Sequence, residues 1–353
     1  GFLVSAFYVV ISGWALGYFL KALFGQLITI NSVGEASRYF TEFSSSPYWA
    51  VGSLIGFLFL SVFVLYIGVQ KGIEAGNKIM IPLLLFVLVL LVMKGVLMPG
   101  AYEGLQFIFA FDLSKVTPTA FLAALGTACF SLSVGQGTMV TYGSYMKKKE
   151  NLLTTCFPIA FFSVCISLLA GIAIFTIVFS FGMEPSSGAS LMFQTLPLIF
   201  SQIQGGYFLS LLFFLLLLLA ALTSQISAME PLIAYLIDTK KWSRQKSVLV
   251  TGVSVLVFSV PCALSFGLLK EYTLFQKNLF DLLSYLCVNI LIPIGGFAAV
   301  ILVGWRWGQK GTLQHLREGA EAFFKAHPIL EKSFFMSIKS VSYTHLTLPT
   351  TPY

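Results

Sequence analysis

Apolar runs long enough to cross a bilayer recur along the whole of this chain. Each run ends at polar residues or at glycine and proline, and the eight runs lie at about residues 1–24, 49–70, 79–98, 117–145, 152–182, 206–238, 246–269 and 280–306. An α-helix needs about 20 apolar residues to cross the hydrocarbon core, and no soluble domain of ordinary size fits between these runs. We therefore predict one all-α integral membrane domain over residues 1–342, embedded in the lipid bilayer.

Only 10% of the residues are charged, and their distribution indicates membrane topology rather than nucleic-acid binding. The formal net charge is +7, but the basic residues lie in short loops between the apolar runs and not on one face. The loops that would share one side of the membrane carry Lys71 and Lys78, then Lys147, Lys148 and Lys149, then Lys240, Lys241, Arg244 and Lys246. We predict that this side is cytoplasmic, that the first run leads outward, and that nucleic acid is not a partner.

Three segments fall outside the spanning pattern. Residues 187–203 are too short and too interrupted by proline to span, so we expect a helical loop that dips onto the protein. Residues 311–325 predict an amphipathic helix on the cytoplasmic surface, or a solvated linker helix, from apolar residues at helical spacing. These residues are Leu313, Leu316, Ala320 and Phe323. Residues 343–353 continue neither pattern, and we interpret them as an artefactual tail.

The segment 130–138 combines glycines and hydroxyls in the middle of an apolar run. Its residues are Phe130, Ser131, Leu132, Ser133, Val134, Gly135, Gln136, Gly137 and Thr138. Leucine or alanine would favour a regular helix at this depth, so we predict that the helix breaks here. Non-helical backbone survives in the membrane where it is buried in protein or lines a wet cavity, and the half-helix ends that it frees are ligands for ions and for a carboxylate. A helix-packing face of small residues is the alternative.

A pair of adjacent hydroxyls, Thr223 and Ser224, follows a very apolar run. With the backbone carbonyl of Ala220 one turn earlier, this helix could supply about three oxygen ligands to a sodium ion. Hydroxyls in spanning helices also bond back to the carbonyl four residues earlier, and that interpretation stays open.

Acidic residues do not occur in the middle of the apolar runs. Glu230, Asp238 and Asp281 lie toward the ends of theirs, which argues against a proton pump built on a buried carboxylate relay and favours a neutral, oxygen-lined cation site. All three histidines lie outside the runs, so the sequence lacks the clustered groups of a membrane-embedded enzyme. It also lacks the repeated pore loop or acidic ring of a channel.

Several motifs, in this order and spacing, resemble the neurotransmitter:sodium symporters, in particular their bacterial amino-acid members. The motifs are Tyr8 with Ser12-Gly13-Trp14, Gly72-Ile73-Glu74 with Asn77-Lys78 and Pro82, Phe130-Ser131-Leu132-Ser133 with Thr141-Tyr142-Gly143-Ser144-Tyr145, Thr195-Leu196-Pro197, and Ala220 to Ser224 with Pro231 and Asp238. The resemblance covers what would be the family's third to tenth helices and the start of the eleventh. It implies a leucine-transporter-type inverted-repeat bundle, of which this chain would be a fragment without the first two helices, unable to transport by itself.

The resemblance also implies which residues bind the substrate and the ions. The substrate-binding residues would be Val4, Tyr8, Phe130, Ser133, Gln136, Ser224 and Ala228. The Tyr8 hydroxyl would close over the substrate carboxylate, and Phe130 would be the outer lid. The sodium ligands would be Ala220, Thr223, Ser224 and Ser131. The chloride-binding residues would be Ser131, Ser167 and Thr127, and the cytoplasmic gate would contain Asp238 and Tyr145.

Some residues depart from the family's pattern. Gln136 stands where Phe or Met is usual, and Ala228 replaces a larger apolar residue, so we expect a roomier and more polar pocket. Thr127 replaces a common Gln. Because Ser163 and Ser167 are neutral, we expect chloride to supply the negative charge that balances the sodium ions.

Together these features predict sodium-coupled secondary active import of an amino acid by alternating access. The protein would be a multi-pass protein of the bacterial inner membrane, with Na+ and Cl− as coupled ions and no enzymatic activity. A proton-coupled or exchange-type amino-acid permease of the same fold is the alternative, which the Thr223-Ser224 pair disfavours.

Overall fold

The computed structural model of the protein is helical through most of the residues it describes. These are residues 1–68, 70–110, 112, 116–146, 150–183, 185, 190–307, 312, 314, 316–317, 320–326, 329, 333 and 336. In chain order the α-helices are α1 (Phe2–Leu23), α2 (Val33–Ser45), α3 (Pro47–Ile67), α4 (Gln70–Val96), α5 (Ala101–Phe109), α6 (Pro118–Ser131), α7 (Thr138–Tyr145), α8 (Leu152–Ser180), α9 (Ser190–Gln202), α10 (Gly206–Lys240), α11 (Arg244–Leu264), α12 (Leu279–Tyr285), α13 (Ile292–Ile301) and α14 (Glu321–Ala326). Two π-helical segments, Leu286–Leu291 and Leu302–Trp307, flank α13.

Seven helical stretches among the described residues are long and apolar enough to cross a membrane. They are Phe2–Leu23, Pro47–Ile67, Lys78–Val96, Thr154–Ser180, Gly206–Lys240, Arg244–Leu264 and Leu279–Trp307. Each corresponds to one of the predicted apolar runs. The remaining run, 117–145, forms the two shorter helices α6 and α7, so the predicted break is present.

The segment around Lys71 and Lys78, which we expected to be a loop, belongs to α4 instead. Helix α3 ends at Gly68, whose φ of 73° is the left-handed conformation common after a helix. The connection is short, because the chain is helical again from Gln70. The loop prediction was wrong because polar composition does not distinguish a loop from the charged first turns of a helix.

The structure divides into two compact units, and α1 lies inside the first, which contains Gly1–Lys115 and Cys165–Tyr285. Helix α1 packs against α3, α10 and α11, and 67% of its most apolar stretch is buried, against 17% for that of α4. Gly13 permits this close packing, because a Cβ there would clash with the backbone of Leu54. A helix that is apolar on every side belongs in the interior of a bundle, and its position places Tyr8 near α10.

Helices α2 and α9, which lie outside the spanning runs, pack against each other in the same unit. Phe193 of α9 packs edge-on against Trp14 and Tyr18 of α1, with ring centroids 5.8 and 5.1 Å apart. The helical loop expected over 187–203 is therefore α9. Pro197 lies within this helix without ending it.

The second unit contains Val116–Val164 and Leu286–Tyr353, and in it α6 packs against the π-helical segment Leu286–Leu291 and against α13. Pro293, in the first turn of α13, has no N–H to donate to the preceding turn. The π-helical segment Leu286–Leu291 thus ends two residues before this interruption of the helical hydrogen bonds. Gly126 lets α6 approach closely, because it lies against the carbonyl of Val288.

The predicted amphipathic helix over 311–325 is described in part. Leu316 and Ala320 are buried in a small cluster with Phe324, as an apolar face requires. Leu313 lies outside the described residues, as do residues 343–353.

Candidate functional site

The helix break begins with a regular C-terminal cap on α6. The N–H of Ser133 donates to the carbonyl of Phe130 at 3.0 Å, and the N–H of Val134 donates to that of Cys129 at 2.9 Å. Ser133 has a φ of 54°, in the left-handed region where a glycine is usual. The cap leaves Phe130 and Ser133, two of the predicted substrate residues, half-buried at the end of α6.

Helix α13 holds the break in place through direct backbone contact. Gly135, with a φ of 83°, lies so close to the carbonyl of Ile292 and the N–H of Gly296 that a Cβ would clash with both. Gly295 lies equally close to the backbone of Gly135. This partner of the break was not predicted from the sequence, although the Gly295-Gly296 pair in an apolar run is a signal for close backbone approach.

The hydroxyls predicted to bind ions at this break donate to their own helix. Ser131 Oγ donates to the Ala128 carbonyl at 3.0 Å, and Thr127 Oγ1 donates to the Ala123 carbonyl at 2.9 Å. A hydroxyl that donates its proton keeps its lone pairs, so Ser131 remains able to bind a cation. Binding of an anion would require these protons to turn away from the helix. Ser167, the third predicted chloride residue, is exposed on α8.

The turn of α10 that was predicted to bind sodium contains the Ala220 carbonyl oxygen and the side-chain oxygens of Thr223 and Ser224. Thr223 Oγ1 donates to the Ala220 carbonyl at 2.8 Å. The helical back-bond that we considered as an alternative is therefore present, but to the third residue back rather than the fourth. It does not remove the cation-binding capacity, because the lone pairs of Thr223 Oγ1 stay free of that bond. The next residue, Ser224, is exposed.

The first unit brings Tyr8 and Ser224 together. The Tyr8 hydroxyl of α1 lies close enough to the Ser224 hydroxyl of α10 for the two to interact. Val4 and Ala228 are buried in the same unit, each about 5% exposed. Of the predicted substrate residues, these four belong to the first unit, and Phe130, Ser133 and Gln136 belong to the second.

Ser5 and Gln225 form a polar contact that sequence analysis missed. Gln225 Nε2 donates to the Ser5 carbonyl at 3.4 Å, so these neighbours of Val4 and Ser224 also meet between α1 and α10. The side-chain oxygens Ser5 Oγ and Gln225 Oε1 are buried and have no hydrogen-bond partner among the described residues. An amide in a spanning helix is the signal that could have pointed to this contact.

Near the end of α10 a buried ion pair joins this helix to α11. Arg244 donates through Nη1 and Nη2 to the two carboxylate oxygens of Glu230, at 2.9 and 3.1 Å. The Glu230 side chain is 4% exposed and that of Arg244 is 34% exposed. The pairing of these two residues was not predicted from the sequence. The predicted gate residues Asp238 and Tyr145 are exposed and belong to different units.

The sequence is similar to a known protein family and to individual known transporters. Residues 44–337 match the family model described as the sodium:neurotransmitter symporter family. An uncharacterized sodium-dependent transporter of Bacillus subtilis, YhdH, is 35% identical over 321 residues, which cover 91% of this chain and 71% of that protein. An uncharacterized sodium-dependent transporter of Haemophilus influenzae is 35% identical over 306 residues, covering 86% of this chain and 67% of the relative.

A solved structure shows the same fold. The crystal structure of MhsT in complex with L-phenylalanine matches with a TM-score of 0.91 and 34% sequence identity, over 97% of this chain and 76% of that one. This match confirms the predicted all-α, leucine-transporter-type fold. More distantly, the human sodium- and chloride-dependent GABA transporter 2 is 27% identical over 277 residues, covering 74% of this chain and 45% of that protein.

Proposed function

Because this chain belongs to the sodium:neurotransmitter symporter family, we propose that the protein, as the cell makes it, imports an amino acid together with sodium by alternating access. Membership confirms the family resemblance and makes the chain a multi-pass, sodium-dependent secondary transporter rather than an enzyme. The amino-acid substrate, the coupling mechanism and a location in the bacterial inner membrane are our proposals. The L-phenylalanine in the MhsT structure supports the choice of substrate.

The observation that carries the proposal is a membrane helix broken between Ser131 and Thr138. A broken helix at membrane depth exposes backbone groups that can replace the hydration shell of a solute, and transporters place their substrate and ion sites at such breaks. The clamp by α13 keeps this irregular backbone in one conformation. We therefore assign Phe130, Ser133 and Gln136 to the substrate site.

Sodium fits the oxygens on the turn of α10. Thr223 Oγ1 keeps its lone pairs, and Ser224 adds a second side-chain oxygen. The Ala220 carbonyl accepts from Thr223 Oγ1 and lies within the helix, so it would bind an ion once the Thr223 hydroxyl turns away. These neutral groups suit a monovalent cation that brings its own charge into the membrane. We assign these three residues to one sodium site and Ser131 to another.

Tyr8 is the residue of the first unit best suited to a substrate carboxylate. Its hydroxyl lies beside that of Ser224 on the proposed sodium-binding turn, so that one polar cluster would bind the carboxylate and a sodium ion together. Val4 and Ala228 supply buried apolar surface for the remainder of the substrate.

We assign Asp238 and Tyr145 to the cytoplasmic gate.

Uptake by cells that express the gene tests the proposal. Radiolabelled amino acids are supplied in sodium buffer and in buffer whose sodium is replaced by choline at constant ionic strength. We expect uptake in sodium buffer only. Uptake that persists in choline and follows the proton gradient would support the permease alternative and contradict sodium coupling.

A further inference from the structure

Gln136 lies in the helix break between two glycines with left-handed backbone conformations. Gln136 stands between Gly135 and Gly137, whose φ angles are 83° and 92°. Gly135 is packed against the backbone of α13, and Gly137 is the N-cap of α7. The backbone that precedes Gln136 is therefore held against α13, and its side chain starts from a fixed point in the break.

The amide oxygen of Gln136 is buried and accepts no hydrogen bond from the described residues. Two hydroxyls of the flanking helices are already committed, because Ser131 donates to the Ala128 carbonyl and Thr141 donates to the Gly137 carbonyl. A buried carbonyl without a donor is costly in a low dielectric. In native structures such groups are completed by water or by a ligand.

We infer that Gln136 recognises the side chain of the transported amino acid, and that this side chain is neutral and ends in a hydrogen-bond donor, as a carboxamide or a hydroxyl does. The inference rests on the proposed function. The unpaired atom is an acceptor and so selects a donor. A site with such an acceptor rejects analogues that lack the donor, because they leave the acceptor unpaired.

A cationic donor suits this site less well than a neutral one. Residues 116–146 contain neither Asp nor Glu, so the broken helix offers no charge to balance an ammonium or guanidinium group. The Gln136 amide also carries N–H groups, which can donate to a carboxamide or hydroxyl oxygen of the substrate. Glutamine, asparagine, serine and threonine have side chains of this chemistry.

Competition against sodium-dependent uptake tests the inference in the protein as the cell makes it. The four donor-bearing amino acids are compared with leucine, valine, phenylalanine and lysine. We expect the donor-bearing group to compete at concentrations about ten- to a hundredfold lower, the difference that one buried hydrogen bond makes. Equal or stronger competition by the apolar amino acids overturns the inference.

Substitutions at Gln136 assign the preference to this side chain. Gln136→Met is of similar length and apolar, so we expect it to bring the two groups within about threefold of each other. Gln136→Glu supplies the missing charge and should improve competition by lysine. Thr251→Val is the matched control, because it removes another buried, unpartnered side-chain oxygen, on α11, and should keep the wild-type profile.

The result that would contradict the proposed function differs from the result that would overturn only this inference about Gln136. Absence of all sodium-dependent amino-acid uptake by the wild-type protein contradicts the proposed function. Sodium-dependent uptake whose competition profile is the same in the wild type and in Gln136→Met overturns the inference alone. If Gln136→Met does not reach the membrane, an unchanged profile in Gln136→Glu overturns it in the same way.

Discussion

At the scale of single residues, Thr223 shows how a helical hydroxyl can keep its helix intact and still bind a cation. Its proton goes to the Ala220 carbonyl, and its lone pairs remain for a ligand. The sequence indicated the oxygens but not this division of roles, because the direction of a hydroxyl proton depends on the side-chain rotamer. Ser5 and Gln225 were missed for a related reason, since their contact depends on how α1 packs on α10.

The double change Thr223→Val with Ser224→Ala removes two of the three oxygens and preserves apolar packing. We expect the sodium concentration for half-maximal uptake to rise about tenfold or more, with unchanged insertion into the membrane. The matched control is Ser254→Ala, which removes a hydroxyl that donates to its own helix on α11. An unchanged sodium dependence in the double variant would remove the assignment.

Chloride dependence is a second prediction at this scale. Ser163 and Ser167 are neutral, and the hydroxyls of Thr127 and Ser131 can donate to an anion once they turn from their helix. We expect uptake to be lost when gluconate replaces chloride at constant sodium, and to be restored by Ser167→Glu, whose carboxylate supplies the balancing charge. Undiminished uptake in gluconate would rule the idea out.

At the scale of elements, the broken helix depends on the glycines where it meets α13. Gly135→Ala and Gly295→Ala each place a methyl group against backbone that cannot move aside. We expect each to destabilise the protein by about 1–3 kcal/mol and to reduce uptake, as measured by thermal denaturation in detergent and by transport. Gly143→Ala, on α7 where a Cβ meets open space, is the control and should behave as the wild type.

The two partners of the ion pair between α10 and α11 should differ in how much stability is lost when each is replaced. Without Arg244, the buried carboxylate of Glu230 loses two charge-assisted hydrogen bonds; without Glu230, the partly exposed guanidinium still reaches solvent. We therefore expect Arg244→Met to lower the unfolding temperature more than Glu230→Gln does, by the equivalent of about 3 kcal/mol for the arginine change. Equal losses would show that exposure of Arg244 does not compensate for the missing partner.

The helices could be predicted from the sequence where they coincide with long apolar runs. The spanning helices and the break follow from the length of apolar runs and from the glycines and hydroxyls within one of them. Helix α2 was not predicted, although its start carries a capping signal, in which Ser32 Oγ accepts from the Glu35 N–H and Glu35 Oε2 accepts from the Asn31 N–H. The π-helical segment Leu286–Leu291 was not predicted either, because an apolar pattern does not distinguish a π-helix from an α-helix.

At the scale of the whole molecule, fold and family could be predicted from the sequence because ordered motifs accompany the apolar pattern. The match with MhsT over 97% of this chain confirms the fold, and the family model over residues 44–337 confirms the family. The site could be predicted only as a set of residues. How the break is held, and which polar atoms lack partners, depends on packing between helices far apart in the sequence, such as α6 with α13.

The most direct measurement of sodium coupling uses the protein, as the cell makes it, reconstituted in proteoliposomes. An inward sodium gradient is imposed without a pH gradient, and accumulation of a labelled amino acid is followed against vesicles with equal sodium on both sides. We predict accumulation above the external concentration with the gradient, and only equilibration without it. Accumulation that is the same in both, or that needs a pH gradient instead, would contradict it.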